Sequence, residues 1–169
     1  MDFIVGYNLQ EFGYDLNKFR KDYIISSNIS ELDTIEEDLI KENPTYLIAW
    51  KQNQKIVGWA IWHESSTIEH RKGFPREKSD IIILESLFGG KKDIIELHEI
   101  WLKKEYRGRG YGKQFFKFFE SYVLRIGFDS IVYYTDNPVA IGLCRRYGYK
   151  EAFNKELKWY TFCKIIKKQ

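Results

Sequence analysis

The chain has 169 residues, 44% hydrophobic and 17% aromatic, with a formal net charge of +3. That length supports one domain with a substantial core, and the composition excludes a disordered chain. The charge is too small to demand a nucleic-acid partner, and no apolar run approaches the ~18 residues of a membrane span, the longest notable one being Ile81–Leu84.

In chain order, Leu16, Phe19 and Tyr23 predict a first amphipathic helix. Thr34-Ile35-Glu36-Glu37 reads as a capping box that opens a second helix, which Pro44 ends. Tyr46–Trp50 and Lys55–His63 read as a hairpin. A polar, basic stretch from Glu64 to Asp80 leads into Ile81–Phe88 and then Gly89-Gly90-Lys91-Lys92, a connection long enough to cover a ligand. Glu96–Lys104 reads as a strand whose apolar phase breaks at His98-Glu99: Leu97 is odd, whereas Ile100 and Leu102 are even. A bulge there would account for the break.

Phe115, Phe116, Phe118, Phe119, Tyr122, Val123 and Ile126 recur at helical spacing, with Gly127 as the stop. Ser130–Thr135 is β-branched and aromatic and predicts a strand. Asn137 then caps a short helix with Pro138 at its first position, and Gly148 ends it. Tyr149 opens another strand, Leu157–Ile166 predicts the last one, and Lys164, Lys167 and Lys168 make a basic end. The order ααββ, βα, βα, ββ predicts one α+β domain over 1–169, a mixed central sheet flanked by helices.

The most informative stretch is Arg107-Gly108-Arg109-Gly110-Tyr111-Gly112, set between a strand and a helix. Glycines let backbone N–H groups converge, the helix N-terminus adds partial positive charge, and two arginines add full charges. Such a turn suits a phosphate or pyrophosphate. It lacks the Gly-Lys-Ser/Thr of a Walker loop and the spacing of Gly-x-Gly-x-x-Gly.

In these segments the chain resembles the GNAT superfamily of acetyl-CoA-dependent N-acetyltransferases. Arg107 to Gly112 matches the family's Gln/Arg-x-x-Gly-x-Gly/Ala loop. Asn137, Ala140, Leu143, Cys144, Gly148 and Tyr149 fall on its Asn-x-x-Ala-x-x-Leu-Tyr-x-x-x-Gly-Phe signature, with cysteine in place of the tyrosine. The Lys55–Trp62 strand is a weaker likeness. The resemblance implies a GNAT-like fold and acetyl-CoA as cosubstrate. The cofactor would be held by Arg107, Gly108, Arg109, Gly110, Tyr111, Gly112 and Asn137, with pantetheine on the backbones of Ile100 and Leu102.

Direct acetyl transfer needs a neutral amine, an oxyanion donor and a proton for the departing thiolate. For the base, Glu99 ranks first, then Glu96 and His98. For the acid, Cys144 stands in the family's tyrosine position, and Tyr147 lies nearly one turn away; protonation by solvent is the third option. Acidic residues between Glu31 and Glu42 would favour a cationic acceptor such as a polyamine, an aminoglycoside or a lysine, if they do more than solvate a helix. Trp62 and Trp101 are core residues or pocket lining.

His63, His70 and His98 have no metal-ligand spacing, so no metal is expected. Cys144 and Cys163 form no Cys-x-x-Cys pair, and Asp2 and Glu11 border an N-terminal patch unlike a signal peptide. A cytoplasmic protein with free thiols is the simplest expectation. The expected partners are acetyl-CoA and a primary amine on a small molecule or protein, with no membrane and no nucleic acid; a homodimer is compatible with the chain. Two rivals stand: a catalytically silent acyl-CoA-binding regulatory module, and a nucleic-acid-binding domain built on the Arg/Gly turn.

Overall fold

The computed structural model describes residues 1–6 and 34–166. The helix expected around Leu16, Phe19 and Tyr23, and the tail residues Lys167 and Lys168, lie outside the described residues.

The described elements are β1 (Asp2–Val5), α1 (Thr34–Glu42), β2 (Leu47–Gln52), β3 (Lys55–Ser66), β4 (Glu69–Arg71), β5 (Phe74–Pro75), α2 (Lys78–Phe88), β6 (Asp93–Leu102), α3 (Tyr111–Arg125), β7 (Ser130–Thr135), α4 (Pro138–Arg146), β8 (Lys150–Asn154) and β9 (Trp159–Ile165). Seven strands make a mixed sheet in the order β1-β2-β3-β6-β7-β9-β8, and β4 and β5 pair separately. The α+β class and the mixed sheet expected from sequence are therefore present. By compactness the chain divides into two units, Met1–Ile61 with Glu99–Tyr111, and Trp62–His98 with Gly112–Gln169.

In the first unit, β1 and β2 pair antiparallel, as do β2 and β3. The β2–β3 loop is Asn53-Gln54, with φ of 48° and 63°. Two consecutive left-handed residues make the type I′ turn that matches strand twist. Trp59 and Trp101 stack with ring centroids 4.1 Å apart, and Phe3 meets Trp50 edge-on. Gly58 is required beside that stack, because a Cβ there would lie 2.5 Å from the Trp101 carbonyl oxygen.

In the second unit, α3 buries Phe115, Phe116, Phe119, Tyr122 and Val123. Each fully buried large side chain stabilises by roughly 1.5–3 kcal/mol. Leu84, Phe88, Ile94, Val132 and Cys163 form a further core cluster. The sequence reading missed α2, whose Gly89 adopts φ 80° and bonds back to the Glu85 carbonyl. It missed β1 and the β4–β5 hairpin as well. Trp62 is core rather than pocket lining, 2% exposed and edge-on to Tyr122; Trp101 is core in the first unit, at 6%.

Strands β6 and β7 run parallel, paired from Ile95↔Ile131 to Leu97↔Tyr133. β6 continues as a strand to Leu102. Along β6 residues 94–97 are buried at both parities, whereas His98, Glu99, Ile100 and Leu102 are half-buried and Trp101 is buried.

Candidate active site

The glycine turn begins where β6 ends. A single turn of 3-10 helix, Lys104–Tyr106, passes into Arg107, and the exposed residues Gly108, Arg109 and Gly110 lead to the first residue of α3. Gly108 and Gly110 adopt φ of 74° and 80°, the left-handed region that side chains disfavour, and a Cβ on either would meet nothing within 4 Å. These two glycines are present for conformation, not for lack of space. Gly112 differs: its Cβ would stand 3.1 Å from Leu143 Cδ2, so it serves close packing of α3 against α4.

The side chains of the turn are partly committed. Arg107 Nε donates to the Leu102 carbonyl at 2.7 Å, which ties the turn to the strand end. The Arg109 guanidinium lies 5.8 Å from the Tyr106 ring centroid. The Tyr111 hydroxyl accepts a bond from Gln52 Nε2 at 3.0 Å. The result is an exposed, cationic turn at the N-terminus of a 15-residue helix.

On β6, the Glu99 carboxylate accepts from the Ile100 N–H at 3.0 Å, so the first-ranked base and one proposed pantetheine contact already engage each other. Glu96 is buried, at 5% exposure. Its Oε2 takes the Arg76 Nη2 at 2.7 Å and lies 3.4 Å from His70 Nδ1, and its Oε1 lies 3.7 Å from His63 Nε2. Burial pushes the Glu96 carboxyl up, but bonds from the two histidines and the Arg76 charge outweigh it and hold the group well below the usual carboxylate range.

Arg76 is the hub that linear reading missed. It is buried, and its guanidinium also donates to Asp80 Oδ2 at 3.0 Å, to the Tyr134 hydroxyl at 2.6 Å and to Ser65 Oγ at 2.5 Å. Only the Arg-x-x-x-Asp spacing, one helical turn, hinted at this pair. His63, Glu96 and His98 also come together, their ligand atoms all within 4.8 Å of one another. No linear spacing reveals that trio, since strands far apart in sequence bring it together.

In α4, Asn137 is a cap. Its side-chain oxygen accepts from Val139 N–H at 2.9 Å and Ala140 N–H at 3.4 Å. Cys144 is fully buried, and desolvation pushes its thiol up to about 12. Tyr147 is half-buried, its ring stacks on Phe116, and its hydroxyl donates to the Lys113 carbonyl at 3.3 Å. Desolvation raises its pKa, followed by the effect of Glu120. No described helix is long and apolar enough to cross a membrane.

The chain matches the family model described as Acetyltransferase (GNAT) family over residues 15–149. Among curated proteins nothing matches by sequence. Among solved structures it is similar to Ard1 from Thermoplasma volcanium, at TM-score 0.65 and 13% identity, covering 99% of this chain and 98% of that one. It is similar to a Drosophila melanogaster polyamine N-acetyltransferase, at TM-score 0.68 and 12% identity, over 98% and 100% of the two chains. A NatC complex bound to Gag peptide and CoA is a third likeness, at TM-score 0.61 and 14% identity, over 100% of both. At these identities the structures speak to the fold alone. The family match spans most of the chain and carries the glycine turn at its strand-to-helix junction, so the chain belongs to the acetyltransferase (GNAT) family and is an N-acetyltransferase.

Proposed function

We propose that the chain transfers an acetyl group from acetyl-CoA directly to a primary amine of a small, cationic molecule such as a polyamine or of a protein. The observation that carries the reading is the turn Arg107–Gly110: two glycines held left-handed in open space, two exposed arginines, and a helix start behind them. That combination suits the pyrophosphate of a CoA. The CoA in the similar NatC complex and the polyamine of the similar Drosophila enzyme point the same way. Exposed Asp38 and Glu42 on α1 favour a cationic acceptor.

In this reading Ile100 and Leu102 carry pantetheine through their backbones. The Leu102 carbonyl is taken by Arg107 and the Ile100 N–H by Glu99, so binding exchanges the Glu99 contact for one to the cofactor. The freed Glu99 carboxylate then takes the proton from the acceptor ammonium. Tyr147 donates the proton to the departing thiolate; its raised pKa keeps the phenol protonated across the neutral range. Cys144 packs the core in this scheme, since a buried thiol near 12 is a poor donor.

The test is calorimetric titration with acetyl-CoA, with dephospho-CoA and ATP as controls, followed by an amine panel with thiol-release detection. Micromolar, acetyl-CoA-selective binding and amine-dependent thiol release are expected. Absence of binding by a folded protein defeats the proposal. A second reading, a silent acyl-CoA-binding module, draws on the buried Cys144 in the family's tyrosine position. It requires binding without thiol release to any amine.

A further inference from the structure

The buried network around Arg76 holds two carboxylates, Asp80 and Glu96, against one guanidinium. Asp80 accepts from both Arg76 and Tyr134, so its charge is matched within that pair. Glu96 shares the same guanidinium through Oε2 only. One guanidinium thus faces two buried carboxylates, and a further cation beside Glu96 lowers the cost of burying them.

The histidine beside Glu96 is oriented for such a cation. His63 is 3% exposed, and its Nδ1 lies 3.0 Å from the Glu64 carbonyl oxygen. A carbonyl can only accept, so Nδ1 carries a proton, and Nε2 is the nitrogen turned toward Glu96. Nε2 lies 3.7 Å from Glu96 Oε1, a spacing that suits two ligands of one ion. A backbone carbonyl fixing one imidazole nitrogen while the other ligates is the usual outer-shell arrangement of a metal-bound histidine. In the same way, Arg76 fixes Glu96 through Oε2 and leaves Oε1 forward.

His98 completes the set. It sits two residues beyond Glu96 on β6, half-buried, with its ring centroid 5.9 Å from that of His63. All three ligand atoms lie within 4.8 Å of one another. Ligands bound at ~2.0–2.2 Å around a tetrahedral ion stand about 3.4 Å apart. The His63–Glu96 pair is already near that value, and side-chain movement of roughly an ångström closes the rest.

We propose that His63, Glu96 and His98 bind a borderline divalent transition-metal ion, of the Zn2+ class, through two imidazole nitrogens and one carboxylate oxygen. Two nitrogens and one oxygen suit Zn2+, Co2+ or Ni2+ and disfavour Mg2+ and Ca2+, which take oxygen ligands. Three protein ligands leave a position open to water or another small donor. The proposal stands apart from the acyl-transfer reading, and its test uses no CoA.

The experiment is calorimetric titration of the untagged full chain with Zn2+ and with Mg2+, and visible absorption of the Co2+ form. The expected result is one equivalent of Zn2+ with micromolar or tighter affinity, no Mg2+ binding, and Co2+ bands typical of nitrogen and oxygen ligands. His98→Gln, at the least buried of the three positions, weakens Zn2+ at least tenfold while circular dichroism stays native. His70→Gln, facing the other Glu96 oxygen, binds within threefold of wild type. Absence of saturable Zn2+ binding, or equal affinity in His98→Gln, overturns the proposal. Cobalt bands of thiolate type would also overturn it, by moving the ion to Cys144 or Cys163.

Discussion

Replacing Gly110 with valine separates a phosphate-binding turn from a merely tight one. Gly110 has φ +80°, so valine there is strained by roughly 1–3 kcal/mol. Its Cβ meets nothing within 4 Å, so no packing clash is added. For a domain of this size each 1 kcal/mol lowers Tm by about 2–4 °C, which gives a fall of roughly 2–12 °C and a protein still folded at room temperature. Binding suffers separately. Disturbing one N–H bond to a phosphate costs about 1.5–3 kcal/mol, or roughly 10- to 150-fold in Kd. Gly73→Val is the matched control: φ is +83°, the surroundings are equally open, and the residue sits in the β4–β5 hairpin far along the chain from the turn. Thermal denaturation should show similar losses for both variants, and calorimetry with acetyl-CoA should show weakened affinity for Gly110→Val alone. Equal Kd values in the two variants would refute the assignment of the turn to the cofactor.

Tyr147→Phe should lower kcat by roughly 10- to 100-fold and abolish any alkaline limb, whereas Cys144→Ala should keep both, as kcat–pH profiles will decide. Two profiles like wild type would assign protonation to solvent. The buried Cys144 thiol, pushed up to about 12, contributes stability that is complete below the unfolded thiol range and is lost as pH rises from about 9 toward 12. Urea denaturation across that interval should show falling stability with a shallower slope in Cys144→Ala, and an equal slope would count against burial as the cause. Arg76→Leu leaves Glu96 and Asp80 buried without their cation, so stability should fall by about 3–5 kcal/mol, with Tm as the readout; a loss under 1 kcal/mol would show that the network is dispensable. The depressed Glu96 pKa contributes stability present above the usual carboxylate range and lost as pH falls below about 4.5, so the variant's deficit should shrink in acid.

Much of this architecture was legible because local signals agree with it. Asn137-Pro138 marks the start of α4, the Phe115–Val123 spacing marks α3, and Ser130–Thr135 reads as a strand from end to end. The segment from Glu64 to Phe88 was not legible, for a definable reason. Its polar residues look like a solvated connection, yet Arg76 and Asp80 are buried because each satisfies the other. A buried ion pair erases the apolar periodicity on which helix assignment rests, and α2 vanished with it. The same holds for Glu96, which reads as an exposed strand residue until Arg76 and the histidines are placed around it.

The three ionisable residues of β6 near the turn fall into separate roles once burial and partners are weighed. A general base must exchange protons near neutral pH and must reach its substrate. Glu96 fails the first condition, because Arg76 and two histidines hold it as a carboxylate far below neutrality. Its strength lies in staying charged, and that charge fixes the side chains around it. Glu99 accepts from its neighbour's N–H, a bond that a competing donor can replace. His98 stands between these extremes, half-buried beside an ionised carboxylate. A strand with a fixed anion, an exchangeable carboxylate and an imidazole within four residues can therefore support proton removal at one end and cation binding at the other. The Glu99→Gln and His98→Gln variants distinguish the two: the first should lower kcat with Zn2+ affinity intact, and the second should lower Zn2+ affinity.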